Sequence, residues 1–590
     1  MKSIKKLWLI FLSTALILSG CGNTKKATKS AEEFDEFVDS LVVRLLEPTD
    51  LDLNYLFLDP ASYGIEQGVY ELPFTSYEEA LEIDELYNDL RSELKEFDYK
   101  QLSDSQKLTY DVLTDAFSEG LSTKTYYLIS MNYLGSYLGY QAQLPLLLME
   151  YTFNNQQDIT SYFNVLETME DTFVEYVKLE KERQTAGVGM SQVIIDKVIE
   201  QCHNITAEEE SFLVEIINTK IDGLTFLSDS QKQEYKDKNT TLLNNEYMNA
   251  YQRLADELSS IDSSIEDTGL VGLPNGKDYY SYLVKANTGT DMTVEELRKF
   301  SETHFDQYLE ELYAILAENP SIYQTFISMD LSSVTYTNQD NFEAVLDDLA
   351  KKMLTDYPDI GELYYEVSVV PDAMKDNFSP AAYLTGKVDA SLTTPERIFI
   401  NGEFSQSLYT TLAHEGYPGH MYQNAFFRQT GAPTVHYLFG YGAYTEGWAT
   451  YIENRAWMYA DVDTEDDLLV LELVELNSKL TQMLTIQMDI GVHYDGWSRD
   501  DLKEFIIQNF GEQADESIYD SQYDLILETP ANTLKYYVGG AIFDDLYQKA
   551  SKELGNKFSS VEFNRVLLTC GPSPFSVVES AVDQYINDNK

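Results

Sequence analysis

The chain has 590 residues, with 41 basic against 99 acidic side chains and a formal net charge of −58. A polyanion of this kind repels nucleic acid, so DNA and RNA are set aside as partners. Hydrophobic residues make up 44% and aromatics 13%, which argues against disorder and leaves enough apolar surface for a large, multi-domain core.

Lys2, Lys5 and Lys6 precede an apolar run from Leu7 to Leu18. The run is too short to span a bilayer, which takes about 20 apolar residues. Residues 1–20 therefore read as a secretory signal peptide. The run ends in Leu18-Ser19-Gly20-Cys21, which resembles the bacterial lipobox, whose cysteine is acylated and becomes the first mature residue. Cys21 is the expected lipid anchor. It would hold the protein on the extracytoplasmic face of a bacterial membrane, with the lipid as its one membrane contact. Residues 21–30 are small and polar and read as a flexible tether.

From residue 31 onward helical signals dominate, and the expected fold is mainly α. Ser30 with Glu33 makes a capping box ahead of Phe34, Phe37, Val38, Leu41 and Leu45, which share one helical face. The string LSDSQK occurs at 102–107 and again at 227–232 without matching flanks, and both copies read as helix starts. Thr293 with Glu296 and Ser498 with Asp501 are further starts. Residues 31–265 form an N-terminal helical region. The Gly- and Pro-containing stretch from Thr268 to Asn275 marks the boundary, and residues 266–590 form a second helical region. Tyr364 to Val370 and Arg397 to Asn401 read as short strands, the latter as an edge strand able to hold an extended peptide. A long helix is expected from Thr464 to about Ile490. Cys202 and Cys570 either pair or remain as unpaired core residues.

The six histidines are unevenly spread, with four of them between 414 and 493. The centre of that group is His414-Glu415-Gly416-Tyr417-Pro418-Gly419-His420. Two neutral imidazoles with a glutamate between them suit zinc and a general base. On a regular helix, however, six residues rotate the chain by about 600°, which would turn His420 away from His414. Pro418 lacks an N–H and its ring would clash with the carbonyl of His414, so the helix is expected to break between Gly416 and Gly419. Downstream, Glu446 and Glu453 are seven residues apart and share a helix face beside Trp448 and Tyr451. One can bind the metal while the other orients a ligating histidine from behind. His436 lies in an aromatic loop and reads as structural or substrate-lining.

These motifs carry a family resemblance. HEGYPGH (414–420), EGWATYIE (446–453), DIGVH (489–493) and PANTLKYYVGG (530–540), with SPAAY (379–383) and RIFIN (397–401), resemble the bacterial family known as domain of unknown function 885. That family is distantly similar to helical zinc peptidases such as thimet oligopeptidase and angiotensin-converting enzyme. The resemblance implies two helical halves enclosing a deep cleft, with a small β-sheet beside the active site. It implies His414, His420 and Glu446 as zinc ligands, Glu415 as general base, and His493 and Tyr536 as groups that stabilise the oxyanion. Glu453 would stay outside the ligand set. Two departures stand out: the peptidases space their histidines four apart, and Asn532 stands where glutamine is expected. The implied activity is zinc-dependent hydrolysis of peptides at the cell surface, with Glu415 taking a proton from water. The alternative is a peptide- or solute-binding lipoprotein without catalysis. A glycosidase using Glu415 and Glu446 ranks last, because it leaves both histidines unexplained.

Overall fold

The computed structural model describes residues 29–118, 120–207, 210–328, 335–370, 375, 379–512 and 515–590. Cys21 and most of the tether lie outside the described residues. The fold is mainly α with one small sheet. Among the described residues no helix is long and apolar enough to cross a membrane.

The helix starts follow from local chemistry. Ser30, Ser103, Ser228, Thr293 and Ser498 each accept from the backbone N–H three residues on, and the side chain at that position reaches back to the cap. Such an exchange satisfies two N–H groups that the first helical turn otherwise leaves unpaired. Thr464 caps the long helix Glu465–Ile490 in a similar way, accepting from Asp467 N–H. Where that helix ends, the chain continues as a π-turn, Gly491–Asp495.

Two large hydrophobic cores account for most of the buried surface. One is built mainly from the first 260 residues and gathers Tyr162, Tyr176, Tyr247 and Tyr251, all essentially inaccessible. The other lies beyond residue 280 and is built on Trp448, Tyr451 and Phe543. Burying one such aromatic side chain is worth roughly 2–3 kcal/mol. Cys202 belongs to the first core and Cys570 to the second, and both are free thiols.

The sheet sits between these cores. Its strands are β1 (Tyr365–Val369), β2 (Ala381–Leu384) and β3 (Glu396–Ile400), in the order β1-β3-β2. β3 pairs in parallel with β1 and antiparallel with β2. Alternation along β3 sends Ile398 and Ile400 into the second core and Phe399 into the first. The segment expected as an edge strand, Arg397 to Asn401, thus supplies the central strand, and its backbone is committed on both sides. The open edges belong to β1 and β2. β2 went unrecognised in the sequence because four residues reading Ala-Ala-Tyr-Leu show neither alternation nor a β-branched side chain.

Candidate metal centre

The helix Tyr409–Glu415 stops at Gly416, and a new helix, His420–Gln429, starts after Gly419. Both glycines are needed for close approach. A Cβ at Gly419 would fall on the backbone carbonyl oxygens of Ala413 and His414, and one at Gly416 on the Leu346 side chain. The Trp448 indole N–H donates to the Pro418 carbonyl at 3.0 Å, pinning the break to the helix Gly442–Glu453. That helix in turn lies almost in backbone contact with Leu534–Leu554, because a Cβ at Gly447 would sit 2.5 Å from the Gly539 Cα. The glycines therefore set how closely Glu446 and Tyr536 approach each other.

The interruption turns His420 back toward His414, and their ring centroids are 4.8 Å apart. His420 Nε2 lies 3.2 Å from Glu446 Oε2, and His414 Nε2 lies 4.0 Å from the same oxygen. One ligand atom from each of His414, His420 and Glu446 lies within 4.8 Å of the others. Ligands around one zinc ion are spaced by roughly 3–4 Å, so small side-chain rotations close the set. On the far side of His414, Nδ1 lies 3.0 Å from Glu453 Oε2. A proton on Nδ1 donated to that carboxylate leaves the Nε2 lone pair facing the other ligands, the arrangement usual for metal-binding histidines. The side chains of His414, His420 and Glu446 keep 11%, 17% and 22% of their surface exposed, so the centre is recessed but reachable.

The electrostatics favour a cation here. Burial pulls the His414 imidazole down, but the Glu453 hydrogen bond and the carboxylates of Glu415 and Glu446 outweigh it and hold the ring at about 9. Burial raises Glu446, and its hydrogen bond and charge interaction with His420 more than compensate, leaving its carboxyl below the ordinary range. A field that stabilises a proton so strongly also stabilises a divalent ion. Two imidazoles and one carboxylate, with a further carboxylate behind one ring, are donor types that could hold a zinc ion and leave a fourth position open.

Glu415 sits beside the ligands and accepts from the backbone N–H of Tyr383 on β2 at 2.7 Å. That contact was not foreseen, and no side-chain pattern signals it, since the donor is main chain. Tyr536 also reaches the centre. Its ring lies 6.5 Å from that of His414, and burial, then the neighbouring Glu446 carboxylate, raise its phenol above the ordinary value.

The assignment of His493 to the oxyanion needs correction. The ring is fully buried and both nitrogens are taken by backbone: Leu270 N–H donates to Nδ1 at 3.2 Å, and Nε2–H donates to the Ile526 carbonyl at 2.8 Å. Burial lowers the imidazole to about 4, so it is neutral and has no N–H left to give. His493 is a clamp between the stretch 268–275, the π-turn and the helix Ser517–Glu528. His436 is likewise buried, with Nε2 3.0 Å from Thr109 Oγ1 across two distant segments.

The chain is thus a mainly helical protein with a recessed cluster of two histidines and one glutamate and a second glutamate adjoining it. Residues 61–582 match the family model described as bacterial protein of unknown function, DUF885, and the chain belongs to that family. It is similar in fold to a Colwellia psychrerythraea protein designated a lipoprotein, with a TM-score of 0.79 and 18% identity over 95% of this chain and 100% of that one. A Shewanella oneidensis protein designated a lipoprotein of unknown function aligns with a TM-score of 0.60 and 15% identity, covering 93% and 99% of the two chains. No curated protein matches the sequence.

Proposed function

We propose that this protein is a zinc-dependent peptidase, lipid-anchored through Cys21 on the outer face of a bacterial membrane. The observation that carries the reading is the convergence of His414, His420 and Glu446, with Glu415 adjoining them. When bound, zinc would polarise the scissile carbonyl and make water more acidic. His414, His420 and Glu446 would hold it, and Glu453 would keep the His414 ring in the ligating tautomer. Glu415 takes the proton from the attacking water and passes it to the leaving amine. The Tyr536 phenol donates to the oxygen on which negative charge develops. The outward N–H of Tyr383 reaches Glu415, so the open edge of β2 faces the centre. A peptide lying along that edge would be held by main-chain hydrogen bonds, independent of its side chains.

A binding lipoprotein would have no use for a base beside its ligands, and one substitution separates the two readings. The full mature chain should carry about one zinc per molecule and digest a mixed peptide library. Glu415→Gln should keep the zinc and slow hydrolysis by roughly 10²–10⁴-fold. Zinc with no difference in turnover between the two proteins removes the catalytic role of Glu415. A chain that purifies and reconstitutes without zinc removes the whole reading. Mass spectrometry of the native protein should find residues 1–20 absent and Cys21 acylated.

A further inference from the structure

A second concentration of buried charge lies away from the metal ligands, between the N-terminal helices and the sheet. It lines a cavity of about 490 Å³. Lys220 enters from the helix Leu213–Gly223 and Lys387 from the turn after β2. The Lys220 ammonium donates to the carbonyls of Met149 and of Tyr151, the latter at 3.1 Å. The Lys387 ammonium donates to Thr152 Oγ1 at 2.5 Å and approaches the Phe57 carbonyl at 3.4 Å. All four acceptors are neutral, and an ammonium has three donors, so each lysine retains one.

The carboxylates whose charge reaches the two lysines, Glu150, Asp158 and Asp389, are already committed: Asp158 accepts from Gln67 and the Asn154 N–H, and Asp389 from the N–H groups of Leu58 and Asp59. Glu150 is paired with Arg397 at 2.7 Å, and Glu396 with Arg428 and the Tyr383 hydroxyl. Glu366 lies on the exposed rim. Among the described residues no carboxylate pairs directly with Lys220 or Lys387. The two lysines are close enough to repel one another, and burial, ahead of the charges around them, lowers both to about 8. Two half-buried cations facing one cavity are costly unless a negative group completes them. The placement is the more pointed in a chain with a net charge of −58, where acidic residues to neutralise them are abundant.

We propose that this cavity is an oxyanion-binding site, in which Lys220 and Lys387 together hold a carboxylate or a phosphate group. Arg397, fixed by Glu150, lines the same wall. The site does not depend on the peptidase reading. Strand β2 connects the two places nonetheless: Tyr383 touches Glu415, and Lys387 follows four residues later.

The test is titration calorimetry on the full mature chain, with a chelator present so that no ion at His414 and His420 contributes. Inorganic phosphate and succinate are the two probes, and sodium chloride of matched ionic strength is the blank. Saturable binding of phosphate alone assigns a phosphate group, of succinate alone a carboxylate, and of both a general oxyanion site. The double variant Lys220→Met/Lys387→Met should bind at least about tenfold more weakly, as expected when charge-assisted hydrogen bonds are lost. Its circular dichroism spectrum and a cooperative melt should show that it is folded, at some cost in stability because the carbonyls of Met149 and Tyr151 lose their donor. Wild-type protein that shows no binding of either anion up to about 20 mM overturns the proposal without recourse to a variant. Equal affinity in wild type and the folded double variant overturns it as well.

Discussion

Two α-helices in the second half of the molecule are interrupted or widened at a histidine, and the two histidines end with opposite partners. At Gly416–Gly419 the chain breaks outright, and His414 and His420 meet with Nε2 atoms turned toward Glu446. At Gly491–Asp495 the helix widens into a π-turn, and His493 is swallowed with both ring nitrogens bonded to backbone. Both segments put a histidine beside glycines, and from composition alone both look like site motifs. What separates them is the partner of each nitrogen. A carboxylate behind the ring leaves the other nitrogen free to ligate, whereas two backbone partners leave nothing. The first place leaves two imidazoles turned toward one carboxylate, and the second is a clamp on the stretch 268–275.

A substitution at the break itself should do the most damage. Gly419→Ala would drive a Cβ into two carbonyl oxygens that belong to rigid helix rather than to a flexible side chain. Relief requires moving the start of the His420 helix, and overpacking against backbone costs about 3 kcal/mol or more. Zinc affinity, measured by chelator competition, should be lost or reduced by more than about a hundredfold. A variant that folds and binds zinc normally would mean that the break does not set the ligand geometry.

The next effect tests the clamp. His493→Gln should cost on the order of 2–3 kcal/mol in denaturant unfolding at pH 7.5, because buried backbone groups of Leu270 and Ile526 lose well-placed partners. That cost should shrink as pH falls toward 5. The folded ring takes up a proton only near 4, while in the unfolded chain it does so near its ordinary 6.5. Between those values the unfolded state binds more protons, so the wild-type protein loses stability as pH drops, by up to on the order of 3 kcal/mol, and the glutamine variant does not. Asp489, raised to about 7 by burial, titrates in both proteins and cancels in the comparison. Zinc affinity should not change. A variant of unaltered stability with a lost metal would reverse the roles assigned to the two places.

Much of this was legible in the sequence where local chemistry is strong. Ser or Thr with Glu, Gln or Asp three residues on located five helix starts, and Pro418 foretold the break because a proline cannot share a helix with the carbonyl of His414. The seven-residue step from Glu446 to Glu453 placed both on one face, with one toward His420 and one behind His414. What was not legible depends on tertiary partners. Whether His493 keeps a free nitrogen is decided by Leu270 and Ile526, which nothing in its own motif names. The contact between Tyr383 and Glu415 uses a main-chain N–H, and Lys220 and Lys387 meet only because the sheet packs against the N-terminal helices.

The mildest substitution concerns Glu453, the carboxylate behind the proposed ligand His414. Glu453 stands 3.0 Å from Nδ1 and is about a third exposed, so it can turn away at little cost. Glu453→Gln keeps the shape and an acceptor oxygen but removes the charge that fixes the Nδ1 proton and makes Nε2 a better donor to metal. Loss of such an outer partner typically weakens metal binding 10–100-fold. Zinc affinity should therefore fall within that range while stoichiometry stays at about one and overall stability barely moves. Unchanged affinity would show that His414 ligates without help from behind. Complete loss of zinc would make Glu453 itself a ligand, with Glu446 displaced from the set. Only the intermediate result fits a ring held by a carboxylate on one side and offering its other nitrogen to the centre.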